Sequence, residues 1–524
     1  MSKSGHHEKA FDYVVIGAGS AGCVVASRLS CRAGVSVALL EAGGPHRRVL
    51  DVPLVSLWAW LRRPSAYCWQ DWTVPQPGLG GRRVWWPAGR IVGGSSAINA
   101  MMYNRGHPRS YDRWNGDETG EVDWRFDALL PYFRRAEDQE RGESHFHGVG
   151  GPLAVSDTRY PHELGRAFIS ACEEFGIAPT SDFNGTNPEG AGFSQLMQRN
   201  GVRSSTASYL TEIASGPRLT MVLGARATRV LLEKGRAVGV EYTSRDGLHV
   251  VRATREVILC AGTVRSPHLL LLSGVGPGEH LRRLGIDVVA ESPGVGVNLQ
   301  DHVRVPLVRY LSGRRPTRIS SLLRASLEYL WSRRGLLTSN VADAAAIVRL
   351  DAANPVPQVR IVFRWRVKPA ERAMLVDFEV VLIDPRSHGQ LSICTSDPAD
   401  GPAIDPGYLR EPDDTRNLQR GLELAREIAQ TASCRRAGVG DEFLPGARDI
   451  TAHIREQAET AFHPVGTCRL GSDGGAVVDT RLRVRGVSGL RVVDASVMPT
   501  TVAGNAEAAV VAIAERASDL ILDC

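Results

Sequence analysis

The stretch from Phe11 to Glu41 limits the possible folds more than any other part of the chain. Phe11 to Ile16 is a short apolar run rich in Val and Ile, fit for a buried parallel strand. It leads directly into Gly17-Ala18-Gly19-Ser20-Ala21-Gly22. Cys23, Val24, Val25, Ala26 and Leu29 then mark the buried face of a helix ending near Gly34, and Val35 to Leu40 is a second apolar strand closed by Glu41. In such a unit the first Gly permits the tight turn, the second lets backbone approach a pyrophosphate, and the third lets helix and strand pack closely. The free N–H groups of the helix N-terminus face the phosphates. Glu41, nineteen positions after Gly22, can accept hydrogen bonds from ribose hydroxyls. The unit predicts dinucleotide binding and does not separate NAD from FAD.

At 524 residues the chain is too long for one ordinary domain. Thr220 to Leu223, Thr228 to Glu233 and Ala237 to Tyr242 read as strands, the last two around a Lys234-Gly235 turn. Glu256 to Ala261 is another, and Leu269 to Leu272 is the buried part of a helix ending at Gly274. The first half thus returns repeatedly to one doubly wound α/β sheet. Val359 to Val367 and Phe378 to Ile383 alternate as antiparallel strands do, which predicts a second, α+β domain over residues 304–455. Residues 1–303 and 456–524 then form the two parts of the nucleotide-binding domain, with Leu490 to Asp494 as a late strand and Ala506 to Leu520 as a terminal helix. Leu129 to Phe133 reads as part of a surface helix with Pro131 near its start, and Arg166 to Phe175 as a helix.

Several chemistries are disfavoured. Of the 62 basic residues 58 are Arg, but they are scattered and the net charge is only +5, so no nucleic-acid partner is expected. No apolar run reaches the ~20 residues of a membrane span, and Met1 to Ala10 lacks a signal-peptide core, so a cytoplasmic location is expected. Nine Cys without a C-x-x-C spacing exclude a disulfide framework or zinc site as the leading reading. His145 and His147 have an H-x-H spacing but no third ligand of obvious geometry, so no metal is expected. Pro53 to Leu61, rich in Trp and Leu, reads as a buried or lid segment. Leu322, Leu323, Leu327, Leu330 and Trp331 line one face of a helix, with Arg324, Arg333 and Arg334 alongside, and docking of that face onto its own domain is the expectation.

Two stretches stand out as candidate chemistry. Gly89 to Asn99, with Gly93-Gly94 and Ser95-Ser96, is a loop that a flat body can approach closely. Phe462 to Gly471 sets His463 in a bend before Pro464, with Cys468 nearby as a possible thiolate partner. By itself that stretch does not separate a structural His from a base.

Taken together with Gly262 to Pro267 through Ser273 to Gly276, Pro293 to His302, His463 to Arg469 and Asp494 to Pro499, these motifs run in order along nearly the whole chain. The sequence resembles the glucose–methanol–choline oxidoreductases, FAD enzymes that oxidise alcohols, with its choline dehydrogenases as the nearest type. The resemblance implies a Rossmann-type FAD domain. Gly17, Gly19, Ser20, Ala21 and Gly22 would hold the pyrophosphate, Glu41 the adenosine ribose, and Ala227 the adenine through its backbone. Gly93 and Asn99 would lie along the isoalloxazine and ribityl side, with Asp494 near the ribityl–phosphate region. His463 would be the base and Asn505 its partner. An alcohol is the implied substrate, with oxygen or another acceptor taking the electrons. Ile98 stands where choline-oxidising members can carry a His bonded to FAD, so the cofactor is expected to be held non-covalently. Asn505-Ala506-Glu507-Ala508-Ala509 departs from the family's Asn-Thr-Asn-Ala-Pro, and Glu507, near the flavin in that alignment, is either an exposed substitution or a charge placed in the pocket. The alternatives are a flavin-bearing lyase on the same scaffold and a catalytically silent FAD-binding protein.

Overall fold

The computed structural model describes residues 9–61, 65–115, 121–211, 216–312, 319–368 and 373–523. Most of the N-terminal stretch read as lacking a signal peptide, residues 1–8, lies outside them. The opening unit folds as its pattern requires. Strand Ala10–Ile16 and strand Val37–Glu41 pair in parallel, from Tyr13 opposite Val37 to Ile16 opposite Leu40, around helix Ser20–Ser30. Gly17 takes φ +96°, and a Cβ on Gly22 would stand 1.7 Å from the Gly17 carbonyl oxygen, so only glycine lets the helix close onto the loop.

The sheet runs in the order Leu219–Leu223, Val37–Glu41, Ala10–Ile16, Gly247–Leu259, Arg236–Ser244, Arg226–Glu233. The chain leaves Ala10–Ile16 toward one side first and returns later on the other. That places the switch point of the doubly wound sheet at Gly17, where such folds bind ligands. The last two strands form a hairpin whose two-residue loop, Lys234 at φ 49° and Gly235 at φ 76°, is the left-handed turn expected there. The hairpin's pairing with Gly247–Leu259 ends at Arg252, and Leu490–Val492 takes its place in parallel against Val257 to Leu259. A late strand thereby delivers Asp494 to the same sheet end as Gly17 and Glu41.

The second sheet is antiparallel, in the order Val439–Leu444, Val303–Leu311, Ala373–Leu382, Val359–Lys368, Ala344–Val348, Gly190–Phe193, with Glu459–Thr460 also on Val303–Leu311. One face is apolar: Phe363 and Phe378 pack on Phe168 of helix Glu163–Glu174 with ring centroids 5.1 and 5.9 Å away. The two-residue period turns Arg360, Val362 and Arg364 to the other face.

Two helices differ from the reading of the sequence. Helix Phe126–Ala136 is a surface helix that buries one face, Phe126, Leu129, Leu130 and Phe133, and Pro131 sits mid-helix on its exposed side rather than near its start. In helix Ile319–Ser332 the Leu face does not dock: Leu323, Leu327, Leu330 and Trp331 are 64–91% exposed, while Ala325 and Tyr329 are buried. The side chain of Leu322 lies outside the described residues. Periodicity finds an apolar face but not what covers it, and here a narrower Ala–Tyr stripe makes the contact. Among the described residues no helix is long and apolar enough to cross a membrane.

Candidate active site

Both sheets open onto one cavity of about 1070 Å³. Gly17, Gly19, Ser20, Ala21, Glu41, Ala227 and Asp494 line one part of it, and Asn99, His463 and Asn505 the other. Gly22 and Gly93 stand behind the wall, as packing residues.

His463 follows Phe462, whose φ of 68° makes the bend anticipated from the Pro and Gly around it. Its backbone N–H donates to Asp301 Oδ1 at 2.9 Å. Asp301 Oδ2 in turn accepts from Tyr408 Oη at 2.5 Å and Thr460 Oγ1 at 2.6 Å. The imidazole is held at both nitrogens, Nδ1 by His302 Nδ1 and Nε2 by Asn505 Nδ2, each at 3.0 Å. Arg360 Nη1 donates to Asn505 Oδ1 at 2.6 Å, which fixes the amide with its NH₂ toward His463. His463 Nε2 is therefore an acceptor, its proton is on Nδ1, and the lone pair of Nε2 faces the cavity side. Burial, then the charges of His302 and Arg360, lower the His463 pKa well below 6.5, so the ring is neutral at physiological pH.

Asn505 is the residue that caps helix Ala506–Leu522, yet its side chain makes no capping bond. It is free for the site because the helix is anchored elsewhere: Glu515 pairs with Arg28 and with Arg135, each at 2.7 Å.

The nucleotide end shows what it can hold. Helix Ser20–Ser30 has no side-chain cap, so its first N–H groups are available to an anion at the cavity wall. A Cβ on Gly19 would touch only Gly94 Cα, at 3.9 Å, whereas one on Gly94 would lie 2.6 Å from Gly19 Cα. The two glycine loops thus lean on each other while Gly19 stays open to the cavity. This is a cradle that fits a pyrophosphate. Glu41 accepts from Ala18 N at 2.9 Å and Gly43 N at 2.7 Å, which orients its carboxyl group at the strand end, and burial pushes its pKa up to about 7. Asp494 accepts from Gly262 N at 2.8 Å and Ser496 N at 2.9 Å. Asn99 Oδ1 accepts from Met101 N and from Arg203 Nη1, both at 2.9 Å.

Glu507 donates charge to this end. Its Oε2 accepts from Ser20 Oγ at 2.8 Å, its Oε1 has no partner, and burial raises its pKa to about 7 against the opposing effects of Ser20 and Arg203. An anion bound at the Ser20 loop disfavours the ionised carboxylate, so FAD affinity is expected to fall as pH rises through about 7. Glu507→Gln should flatten that dependence. Fluorescence titration of FAD into apoprotein at pH 6 and 8 checks it; equal pH slopes in both proteins would contradict it.

Some site residues carried no readable signal. Arg203 ties the Gly93–Asn99 loop through Ser96 O at 3.0 Å and Ser56 Oγ at 2.6 Å. Asp301 and His302 lay within a family-like motif without an assigned role, and their contacts with His463 close only in three dimensions. Arg360 belongs to the alternating charged face of strand Val359–Lys368, which was the available clue. Two weaker candidates dissolve. The Cys468 thiol is fully buried beside Ser496 and Asp494 rather than paired with His463, and burial pushes its pKa far up. His147 is engaged by Glu137 Oε2 at 3.0 Å and Asp182 Oδ2 at 2.9 Å. His145 instead stacks edge-on against Phe146, and among the described residues no cluster could hold a metal ion.

A switch-point cradle for a dinucleotide, joined to a half-buried neutral His in one cavity, is the arrangement of a dinucleotide-dependent oxidoreductase on a doubly wound sheet. The chain belongs to the GMC oxidoreductase family, whose models match residues 11–304 and 385–514. Its members are FAD-dependent and act on CH–OH donors. The chain is 38% identical to an alcohol dehydrogenase (acceptor) of Pseudomonas putida over 98% of its own length and 96% of that protein's. It is 39% identical to the mitochondrial choline dehydrogenase of Mus musculus, covering 98% of this chain and 89% of the other. Among solved structures, pyridoxine 4-oxidase from Mesorbium loti superposes with a TM-score of 0.87 at 33% identity, covering 97% and 98% of the two chains.

Proposed function

We propose that the protein oxidises the CH–OH group of a small alcohol to an aldehyde or ketone, with His463 as base and Asn505 as its hydrogen-bonding partner. The observation that carries this reading is the Nε2–Nδ2 contact of 3.0 Å between His463 and Asn505 at the wall of the cavity that also contains the dinucleotide cradle. A substrate hydroxyl entering there replaces that contact. His463 Nε2 takes the hydroxyl proton, and Asn505 Nδ2 donates to the developing alkoxide. Asp301 and His302 hold the imidazole in position and in the tautomer this needs. Bound FAD supplies the hydride acceptor at its flavin N5.

In this reading Gly17, Gly19, Ser20 and Ala21 hold the pyrophosphate, with Gly22 packed behind them, Glu41 the ribose, and Ala227 the adenine side. Asn99 and Asp494 border the flavin and ribityl portion, and Gly93 shapes their wall from behind. Residues 1–303 and 456–524 serve the cofactor, apart from Gly190–Phe193 and Glu459–Thr460, which join the second sheet, and 304–455 shape most of the substrate side. Ile98 offers no atom for a bond to the flavin at that position, which supports non-covalent binding of FAD. The electrons then leave to oxygen or another acceptor.

The pH profile tests the assignment of the base. Because His463 is neutral down to well below pH 6.5, kcat/KM at saturating FAD is expected to be level from pH 6.5 to 8, with its acid limb below 6.5. An acid limb centred above pH 7 would assign the proton transfer to another group.

A further inference from the structure

The substrate side of the cavity carries a positive charge that the protein itself leaves unbalanced. The lining face of the second sheet holds Arg304, Arg360, Arg364 and Arg366 against Asp377, Glu379 and Glu459. The carboxylates are all taken. Glu379 pairs with Arg304 at 3.0 Å and also contacts Arg364. Glu459 pairs with Arg304 at 2.9 Å, and Asp377 with Arg366 at 3.0 Å and Arg364 at 3.3 Å.

Among the described residues Arg360 forms an ion pair with none of them and only feels the charge of Glu379, which Arg304 and Arg364 already engage. It is 4% exposed, and among the described residues its only hydrogen bonds are to Asn505 Oδ1, a neutral amide, and to Met102 Sδ at 2.8 Å, a weak acceptor. Its Nε–H has no partner. A buried guanidinium with no ion pair of its own is costly and is retained where something else supplies the negative charge. The neighbouring His463 is neutral and cannot do so.

We propose that Arg360 receives a carboxylate carried by the alcohol substrate, so that the enzyme acts on small hydroxy acids. This rests on the reading of His463 and Asn505 as the oxidation site. Arg360 touches Asn505, which touches His463, so the carboxylate and the carbinol stand only a few bonds apart. One unpaired cation matches one carboxylate; a phosphate, nearly doubly charged, would call for a second. A quaternary-ammonium alcohol such as choline would meet like charge at Arg360.

The test pairs each acid with a neutral twin on the holoenzyme: lactate with lactamide, 3-hydroxybutyrate with its methyl ester, and choline as the cationic member. Each acid family that is turned over should show kcat/KM about 10- to 100-fold above its twin, the effect of a charge-assisted hydrogen bond. Choline should be the poorest. Arg360→Gln should bring the ratio toward one, and Arg360→Lys should keep part of it; the ratio cancels general damage to the site. As a readout without turnover, propionate should perturb the flavin spectrum of wild type saturably, while propionamide, or propionate with the Arg360→Gln holoenzyme, should not. Flavin bleaching by neutral twins at rates equal to or above those of the acids would overturn the carboxylate site and leave alcohol oxidation standing. If no alcohol bleaches the flavin, the oxidation reading fails, and the propionate titration still decides whether Arg360 binds a carboxylate.

Discussion

Replacing His463 by Ala is expected to lower the rate of flavin bleaching by alcohol about 10²- to 10⁴-fold, the range that a positioned general base supplies, with FAD content as in wild type. The separation is expected because His463 is held by Asp301, His302 and Asn505 and lies apart from the Ser20 loop that cradles the pyrophosphate. Stopped-flow absorbance under anaerobic conditions, with FAD content measured on the same preparation, checks both halves. Equal loss of FAD and activity would make His463 a structural residue. A rate within about threefold of wild type would move the base elsewhere, since such a change is far below the general-base range.

Gly22→Ala is expected to abolish the folded, FAD-loaded protein. The added Cβ would lie 1.7 Å from the Gly17 carbonyl oxygen and 3.2 Å from Cys260 Cβ. The first partner is backbone at the tightest turn of the sheet and cannot swing aside as a flexible side chain would. Ordinary overpacking costs about 1–3 kcal/mol; forcing this loop off helix Ser20–Ser30 also dismantles the anion cradle. Purification should give colourless, aggregated or thermally labile protein. Gly34→Ala serves as the control, because a Cβ there meets nothing within 4 Å although its φ of +76° carries some strain. Yellow Gly22→Ala protein with a wild-type melting temperature would contradict the packing account.

What was legible in the sequence follows from the range of the interactions. The opening βαβ unit could be read because its signals are local: two short apolar runs, three glycines and an acid at fixed spacing. The Lys234-Gly235 hairpin could be read for the same reason. Asn505 could be placed ahead of an Ala-rich helix, though nothing in the sequence said that its side chain would be free of capping. The pairing of His463 with His302 spans 161 positions and closes only when Glu459–Thr460 pairs with Val303–Leu311. Arg360 was hidden differently. In a chain with 58 Arg, one guanidinium without a carboxylate is invisible until every ion pair around it is known. The exposed Leu face of helix Ile319–Ser332 was misassigned because an apolar stripe carries no record of its cover.

The most direct test of the central claim is anaerobic mixing of the purified holoenzyme with a panel of primary and secondary alcohols, hydroxy acids included, while the flavin band is followed. The account predicts bleaching by at least one alcohol in wild type and loss of that bleaching in His463→Ala. Readmitting air then sorts the acceptor: rapid recovery marks an oxidase, and persistent bleaching a dehydrogenase that uses another acceptor. An FAD-loaded protein that no alcohol bleaches would contradict alcohol oxidation at His463.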